Sequence, residues 1–385
     1  MQSRAQVVII GAGIMGASIA YHLTQRGCHD IVILEQAEVE LSGSTARAVA
    51  GVRHQFSTAV NILLSKYGIT HLRHFEEEVG ADPGFRQIGY LFLLDNPQDW
   101  AIYQQSVALQ RSLGVDTQLL SPTEAARFVP EMNLDGLLGA TFGPDDGYCD
   151  PHAVAMGYLT RAREHGVQLL RGTPVTAIRV EAGQVTAVET PQGRLGCDTL
   201  VNAAGSWAGE VAAQAGLDVP VQPYRRCVYV TEPFAAIPQD IPLTIDVGSG
   251  FYMRKEQRSI IFGMSNTSEA SSHTVQVDWE WLDTVLEAGL RRFPILEQAG
   301  LAERQCWAGS YEITPDHHPI LGRHPQLPNY VDASGFSGHG IMHAPATGML
   351  IAEEILDGRA HTIDIDELRI QRFLTGAQGR EQNII

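Results

Sequence analysis

The chain has 385 residues, of which 44% are hydrophobic and 18% charged, and its formal net charge at pH 7 is −17. This length exceeds one ordinary hydrophobic core and predicts two domains. The acidic balance argues against a nucleic-acid partner or an anionic membrane surface, and no apolar run is long enough to span a bilayer.

The cysteines are scattered and odd in number: Cys28, Cys149, Cys197, Cys227 and Cys306. None forms a CxxC pair, which argues against a disulfide framework or a zinc site and fits a reducing compartment. No basic leader precedes the first apolar stretch. We therefore expect a cytoplasmic protein without a metal site.

The first predicted strand, at residues 7–10, is followed at once by Gly11, Gly13 and Gly16. This is the GxGxxG spacing of a dinucleotide-binding turn. The first glycine permits a tight turn, the second lets the backbone approach a pyrophosphate, and the third allows close helix packing. A helix beginning near Ile14 would direct N–H groups and its positive dipole end at the phosphates.

A second buried strand is predicted at residues 31–34, and Glu35 ends it. A carboxylate about 20 residues past the glycines is placed to bind a ribose hydroxyl, and it argues against a 2′-phosphate. The small polar residues Ser42, Ser44 and Thr45 would let the next loop run close beside a bound cofactor.

The remaining pattern predicts, in chain order, a helix at 58–79, a capped helix at 121–128, a helix at 150–165, strands at 175–180, 184–189 and 199–205, a strand-rich segment at 225–265, a helix at 277–293, a strand at 330–333 and a helix at 345–356. A glycine-rich turn at 335–340 gives the far end a second strand–turn–helix unit. A flavin is longer than NAD and must be held at both ends, so we expect a discontinuous cofactor domain. Its predicted ranges are 1–80, 145–215 and 310–385, with a substrate domain at 81–144 and 216–309.

Several blocks of the chain, at residues 7–16, 43–53, 202–207, 311–316 and 335–340, together carry a family pattern. They resemble the D-amino-acid-oxidase-like family of FAD oxidoreductases, in its sarcosine oxidase and dimethylglycine dehydrogenase branch. The resemblance implies an α/β fold with a Rossmann-like FAD-binding domain of the glutathione-reductase type and a sheet-based α+β substrate domain. It also implies oxidation of a C–N bond in a small amino acid or N-methyl amino acid, such as a sarcosine-, dimethylglycine- or proline-like substrate, by hydride transfer to flavin N5.

The motifs and the resemblance together predict a set of FAD contacts along the chain. They are Gly11, Gly13, Ile14, Met15, Gly16, Glu35, Gln36, Ser42, Ser44, Thr45, Arg47, Gly51, Val175, Ala203, Ala204, Gly205, Trp207, Gly309, Gly335, Phe336, Ser337, Gly338, His339, Gly340, Ile341 and Met342.

Five residues are predicted to contact the substrate or the reacting part of the flavin. By its place after the Gly-Ser turn, Arg53 resembles the arginine that binds the substrate carboxylate in the family, and a surface or flavin-side arginine is the alternative. His54 and His339 are candidates for polar contacts near the flavin, with a structural role as the alternative for His54. Tyr252 and Arg254 lie on a probable strand with their side chains on one face, where they would line the pocket, although ordinary sheet packing also suits Tyr252.

The chain departs from the sarcosine oxidase pattern at three positions. The cysteine that holds FAD covalently matches Gly309, a lysine that helps to bind carboxylate matches Met342, and the lysine that promotes reaction with oxygen matches Ile261. These departures predict noncovalent FAD and favour a dehydrogenase over an oxidase.

Two alternatives stay open at this point. One is oxidation of an α-hydroxy acid on the same fold, and the other is a non-catalytic flavin-binding subunit or assembly factor. The electron acceptor and any partner subunits are not defined by the sequence, whereas a small-molecule substrate is expected in both enzyme readings.

Overall fold

A computed structural model describes residues 3–129, 131–376 and 379–384. The strands are β1 (Arg4–Ile10), β2 (Ile31–Leu34), β3 (Gly51–Val52), β4 (Tyr90–Leu94), β5 (Gln118–Leu120), β6 (Gly139–Gly143), β7 (Gly147–Tyr148), β8 (Gln168–Leu170), β9 (Ala177–Glu181), β10 (Gln184–Thr190), β11 (Gly193–Asn202), β12 (Gln222–Val230), β13 (Leu243–Asp246), β14 (Phe251–Glu256), β15 (Ser259–Gly263), β16 (Trp307–Ile313), β17 (Ile320–His324) and β18 (Leu327–Ser334). The helices are α1 (Ile14–Gln25), α2 (Ala59–Arg73), α3 (Phe75–Val79), α4 (Pro97–Ser112), α5 (Pro122–Ala125), α6 (Pro151–Glu164), α7 (Ala208–Gln214), α8 (Trp279–Arg292), α9 (Gly340–Leu356) and α10 (Gln371–Thr375). Short 3-10 turns lie at Thr45–Arg47, Gly205–Trp207, Pro294–Gln298, Glu303–Gln305 and Asp366–Leu368.

The first sheet has the strand order β17-β18-β11-β1-β2-β8, and β10 and β9 extend it from β11. At its centre β1 runs parallel to both β2 and β11, and β11 runs parallel to β18. The residues of β2 are all buried, as a parallel strand covered on both faces requires. Helix α1 packs against α9 and α6, so the glycine turn after β1 and the turn before α9 come together at one edge of the sheet.

The second sheet has the order β16-β12-β15-β14-β13-β4-β6-β5. Its neighbours are antiparallel except for the β13–β4 pair. A separate apolar core lies on this sheet and includes residues of α8. The predicted α/β fold class, with a second sheet-based unit, is confirmed.

The strands of the two sheets alternate along the chain in the order that a discontinuous cofactor domain requires. Strand β16 belongs to the second sheet but continues past residue 310, which the prediction gave to the cofactor domain. The domain boundaries at 80, 145, 215 and 310 themselves stay a prediction.

Three predicted helices differ clearly from the structure. The helix predicted at 121–128 is α5, which ends at Ala125. The helix predicted at 58–79 is divided at His74, whose φ of −107° and ψ of 9° leave the helical region. The last long helix begins at Gly340 and contains Pro345, so it starts five residues before its predicted beginning. A proline in the second turn removes one backbone donor without ending the helix. No helix in the described part of the chain is long and apolar enough to cross a membrane.

Candidate active site

A cavity of about 860 Å³ lies where the edge of the first sheet faces the second sheet. A volume of this size is typical of cofactor and small-molecule sites. Most of the predicted FAD contacts line it: Gly11, Gly13, Ile14, Met15, Glu35, Gln36, Ser42, Ser44, Thr45, Arg47, Gly51, Val175, Ala203, Ala204, Gly205, Trp207, Gly309, Phe336, Ser337, Gly338, His339, Gly340, Ile341 and Met342.

Gly16 and Gly335 were also predicted to contact FAD, but they do not line the cavity. A Cβ on Gly16 would lie 2.0 Å from the carbonyl oxygen of Gly11, so this glycine allows α1 to pack closely on the turn. Gly335 has a φ of +76°, and a Cβ there would lie 2.4 Å from a methyl group of Thr314. Both glycines therefore shape the turns beside the cavity, and their predicted contacts with FAD stay a prediction.

Two long helices begin at the cavity. Helix α1 has Gly13 as its N-cap and α9 has His339, and neither cap side chain accepts a hydrogen bond from its helix. Neither helix carries an acidic residue in its first turn. The first turns of these helices therefore place no carboxylate of their own at the positive dipole ends, which suits an anionic or electron-rich ligand group.

Glu35 lies at the end of β2 and is fixed by the backbone. Its Oε2 accepts a hydrogen bond from the N–H of Ala12 at 2.9 Å, and its Oε1 accepts one from the N–H of Ala37 at 2.9 Å. A carboxylate has about four acceptor positions, so roughly two remain for the hydroxyl groups of a ribose.

The residues around the cavity fit FAD. Gly11 has a φ of +106°, and a Cβ there would lie 2.4 Å from the carbonyl oxygen of Ala203, so the turn brings bare backbone to the site. The N–H of Ile14 donates to Oγ1 of Thr45 at 3.1 Å, which closes the loop around residues 42–47 over the turn. Binding of a dinucleotide such as FAD requires a phosphate-binding turn, a fixed carboxylate for the ribose and a second helix end.

Arg53 lines the cavity but has only 1% of its surface exposed. Its Nη1 donates to the carbonyl of Gln55, and its Nη2 donates to the carbonyl of Asn383 at 2.7 Å. The guanidinium carbon lies 4.0 Å from the centre of the Phe56 ring. Backbone carbonyls therefore already use part of the hydrogen-bonding capacity of Arg53.

The structure does not bring His54 to the cavity. Its Nδ1 lies 2.6 Å from Oδ1 of Asp146, and its backbone N–H donates to the same oxygen at 2.9 Å. Asp146 is fully buried and also accepts from Gln55 Nε2 at 3.0 Å. His54 therefore anchors the segment that carries Arg53. This is the structural role that the sequence analysis gave as the alternative for His54.

Arg254 does not line the cavity either, although Tyr252 on the same strand does. The Arg254 guanidinium forms an ion pair with Glu256 at 2.6 Å and donates to the carbonyl of Val49 at 3.0 Å. These partners hold the guanidinium behind Val49, which itself lines the cavity. Arg254 thus joins the second sheet to the loop that precedes β3.

His339 lines the cavity at the start of α9 and is 5% exposed. Its Nε2 lies 3.4 Å from Nη2 of Arg53, and its Nδ1 is buried without a hydrogen-bond partner among the described residues. Burial, and then the positive charge of Arg53, lower the pKa of His339 well below its usual value. The imidazole is therefore neutral at physiological pH.

The second sheet contributes polar residues that the sequence analysis did not select. Tyr90, Arg226, Tyr311 and Glu312 line the cavity together with Tyr252. Burial raises the pKa of the Tyr252 and Tyr311 hydroxyls, so both stay protonated and can donate hydrogen bonds. The one sequence signal for Arg226 is that it follows Arg225. The two successive arginines directly precede an apolar strand segment.

Glu312 faces the cavity from the end of β16. Its Oε2 accepts a hydrogen bond from the N–H of Gly335 at 3.0 Å. Burial raises the pKa of Glu312 to about 7, against the opposing effect of backbone hydrogen bonds from Gly335 and Phe336. This carboxyl group therefore changes charge near neutral pH inside the site.

Three features bear on the flavin linkage and on oxygen. Cys227 lines the cavity, but burial raises the pKa of its thiol, and its Sγ accepts a hydrogen bond from the N–H of Asp278 at 3.3 Å. Ile261 packs against Val228 and Val230 and does not line the cavity. No lysine is found among the described residues that line it.

Within the described ranges, no group of three or more His, Cys, Asp or Glu side chains is placed to hold a metal ion.

Comparison with known proteins agrees with this geometry. The chain matches the model of the FAD dependent oxidoreductase family over residues 6–354. It is 31% identical to mitochondrial dimethylglycine dehydrogenase of Rattus norvegicus over 97% of this chain and 45% of that protein. The chain thus spans a little under half the length of that relative.

Two further relatives are covered over most of their own length. FAD-dependent oxidoreductase domain-containing protein 1 of Xenopus laevis is 32% identical over 99% of this chain and 85% of that protein. The crystal structure of L-proline dehydrogenase from P. horikoshii superposes with a TM-score of 0.91 at 30% identity, over 98% of this chain and 100% of that one. The chain therefore belongs to the family of FAD-dependent oxidoreductases.

Proposed function

We propose that this chain oxidises the C–N bond of a small amino acid with a secondary or N-methylated amine, such as proline, sarcosine or dimethylglycine. The observation that carries the proposal is the polar cluster of Arg226, Tyr252, Tyr311 and His339 in the cavity that also holds the flavin-contacting turns. Similarity to a dimethylglycine dehydrogenase and to an L-proline dehydrogenase supports the substrate class.

FAD, when bound, supplies the hydride acceptor. The substrate amine must be neutral to release hydride easily. Arg47, Arg53 and Arg226 line the cavity, and their positive charges disfavour a protonated amine there. Nδ1 of the neutral His339 ring has no hydrogen-bond partner among the described residues, so it can form a hydrogen bond with the substrate.

The tyrosine hydroxyls orient the substrate in this proposal. Tyr311 packs against the turn at Gly338, where a Cβ would lie 2.4 Å from the ring. Its protonated hydroxyl can donate to a substrate oxygen while the ring excludes water from the reacting end. The hydroxyl of Tyr252, on β14, can likewise donate a hydrogen bond to the substrate. Tyr252 and Met264 both line the cavity.

The test is anaerobic titration of the FAD-loaded protein with sarcosine, N,N-dimethylglycine, L-proline, glycine and L-lactate. Bleaching of the visible flavin band by an amino acid, and not by lactate, supports the proposal. Bleaching by lactate alone would indicate an α-hydroxy-acid enzyme. A flavin that none of these compounds reduces, but that dithionite reduces, would indicate a binding subunit.

A matched pair of variants tests the site itself. Tyr311→Phe removes a hydroxyl from the cavity, whereas Tyr224→Phe removes one from the residue paired with Tyr311 across the strands, outside the lining. Loss of one hydrogen bond to substrate should lower kcat/KM about 10-fold for Tyr311→Phe only. Equal effects in both variants would contradict this role for Tyr311.

We also propose a reducing, cytoplasmic location. The cysteines Cys28, Cys149, Cys197, Cys227 and Cys306 are all free thiols. Fractionation of cells that express the tagged chain tests this proposal, and recovery in an organelle would overturn it.

A further inference from the structure

Arg226 is one of three arginines that line the cavity, with Arg47 and Arg53, and it forms no ion pair among the described residues. Arg226 lies on β12 and lines the cavity, and its Nη1 donates to the carbonyl of Arg225 at 2.8 Å. Its Nε is buried and has no hydrogen-bond partner among the described residues. The guanidinium carbon lies 5.0 Å from the centre of the Tyr311 ring, a cation–π contact that holds the group in place.

The neighbouring arginine, Arg225, is by contrast neutralised by carboxylates. Arg225 lies on the opposite face of the strand and pairs with Glu269 at 2.7 Å and with Asp278 at 2.7 Å. Glu269 is the acidic group that acts on Arg226 electrostatically, yet it is paired with Arg225. The two carboxylates of this region therefore neutralise Arg225 and leave Arg226 as a half-buried positive charge.

The half-buried positive charge of Arg226 would be stabilised by a bound anion. Burial lowers the pKa of Arg226, but a guanidinium stays protonated at any physiological pH. An unpaired buried charge is costly, and a planar guanidinium matches a carboxylate in bidentate geometry. Across the strands, Arg226 is paired with Gly309, where a Cβ would lie 3.1 Å from Cβ of Arg47.

We propose that Arg226 anchors the carboxylate of the substrate and so makes the site prefer amino acids over simple amines. This inference rests on the proposed function. It differs from the sequence-based expectation for Arg53, because Nη2 of Arg53 is already bound to the carbonyl of Asn383. Tyr311 lies between Arg226 and Gly338, so a carboxylate on Arg226 directs the rest of the substrate toward the turn at 335–340.

The experiment measures ligand binding and does not depend on turnover. The oxidised FAD-loaded protein is titrated with pyrrole-2-carboxylate and with pyrrole-2-carboxamide, and the perturbation of the flavin absorption spectrum gives each dissociation constant. Arg226→Gln should weaken binding of the carboxylate roughly 10- to 100-fold and leave binding of the carboxamide unchanged. Arg226→Lys keeps the charge without the planar fork and should give an intermediate loss.

Arg225→Gln is the matched control, because it removes the same charge one residue away on the other face of the strand. It should bind the carboxylate as the wild type does. If Arg226→Gln and the wild type bind the carboxylate equally, the inference is wrong. It is also wrong if Arg226→Gln and Arg226→Lys lower the FAD content while affinity for the carboxylate stays normal, since the guanidinium then serves the cofactor.

The two proposals fail in different ways. If amino acids bleach the flavin of the wild-type protein, and Arg226→Gln binds the carboxylate as tightly as the wild type does, only the proposed role of Arg226 is wrong. A wild-type protein that neither binds the carboxylate nor is bleached by any amino acid overturns the proposed function, and the role of Arg226 with it.

Discussion

Nη2 of Arg53 donates a hydrogen bond to the carbonyl of Asn383 at 2.7 Å, between residues that are 330 positions apart in the sequence. The bond places the C-terminal segment against the wall of the active-site cavity. It also satisfies part of a buried guanidinium that has only 1% of its surface exposed. Both terminal nitrogens of Arg53 donate to backbone carbonyls, whereas only one terminal nitrogen of Arg226 does so among the described residues, and Arg226 is therefore the more available anchor.

The same C-terminal segment is held by Glu381, and we predict that Glu381→Gln destabilises the protein. The carboxylate accepts hydrogen bonds from the N–H of Ser57 at 2.7 Å, from Thr58 Oγ1 at 2.8 Å and from Asn61 Nδ2 at 3.0 Å. An amide loses acceptor positions, so the free energy of unfolding should fall by about 1–3 kcal/mol. Chemical denaturation measures it, with the exposed Glu367→Gln as the control.

The difference in stability between the wild type and Glu381→Gln should depend on pH with a definite sign. Burial raises the pKa of Glu381, but hydrogen bonds from Ser57 and its neighbours outweigh burial and hold the pKa below its usual value. A depressed carboxyl pKa stabilises the folded state above the pKa of the unfolded chain, and this stabilisation is lost as the pH falls through the folded pKa. The gap between wild type and Glu381→Gln should therefore narrow on acidification. A gap that widens would contradict the hydrogen-bonding role.

FAD is predicted to be bound without a covalent link to the chain. Gly309 stands where the resemblance places a flavin-linked cysteine, and the thiol of Cys227 is kept protonated by burial. Acid precipitation should release the yellow chromophore into the supernatant with the mass of FAD. Cys227→Ser should release the same fraction as the wild type. Colour that stays in the pellet of the wild type, and is lost from the pellet of Cys227→Ser, would show a thioether at Cys227.

Glu312→Gln is predicted to flatten the dependence of stability on pH near neutrality. The folded-state pKa of Glu312 is raised to about 7, above that of an exposed carboxyl group. A raised pKa contributes stability at low pH that is lost as the pH rises through the folded pKa. The wild-type melting temperature should therefore decline between about pH 5 and pH 8 more steeply than that of Glu312→Gln. Parallel profiles would mean that Glu312 is ionised throughout this range.

Reoxidation of the reduced flavin by oxygen is predicted to be slow compared with reduction of a dye acceptor. Transfer of the first electron to oxygen creates superoxide, which a nearby ammonium stabilises in a buried site. The described lining of the cavity contains no lysine. Stopped-flow reoxidation in air-saturated buffer, beside an artificial dye, measures both rates. Rapid reoxidation with stoichiometric peroxide would make the protein an oxidase.

The position that matches the oxidase lysine gives a control for this prediction. Ile261 is 1% exposed and packs with Val228 and Val230, and it does not itself line the cavity. Ile261→Lys should therefore lower stability without increasing reactivity toward oxygen, because the new ammonium would not reach the flavin.

The sequence by itself determined the cofactor half of the site. The glycine turn after β1, the carboxylate at the end of β2 and the turn before α9 are each local in sequence, and each depends on backbone conformation over a few residues. Glycine spacing and buried-strand composition therefore predict them, and nearly all of the predicted FAD contacts line the cavity.

Only the tertiary structure decided which charged side chains face the cavity. Arg53 is turned to Asn383 from the far end of the chain, His54 to Asp146, and Arg254 to Val49 and Glu256. Arg226 faces the cavity, while Arg225 on the other face of the strand pairs with the carboxylates of Glu269 and Asp278. The direction of a buried cation depends on where distant carbonyls and carboxylates lie after folding, and no local pattern in the sequence contains that information.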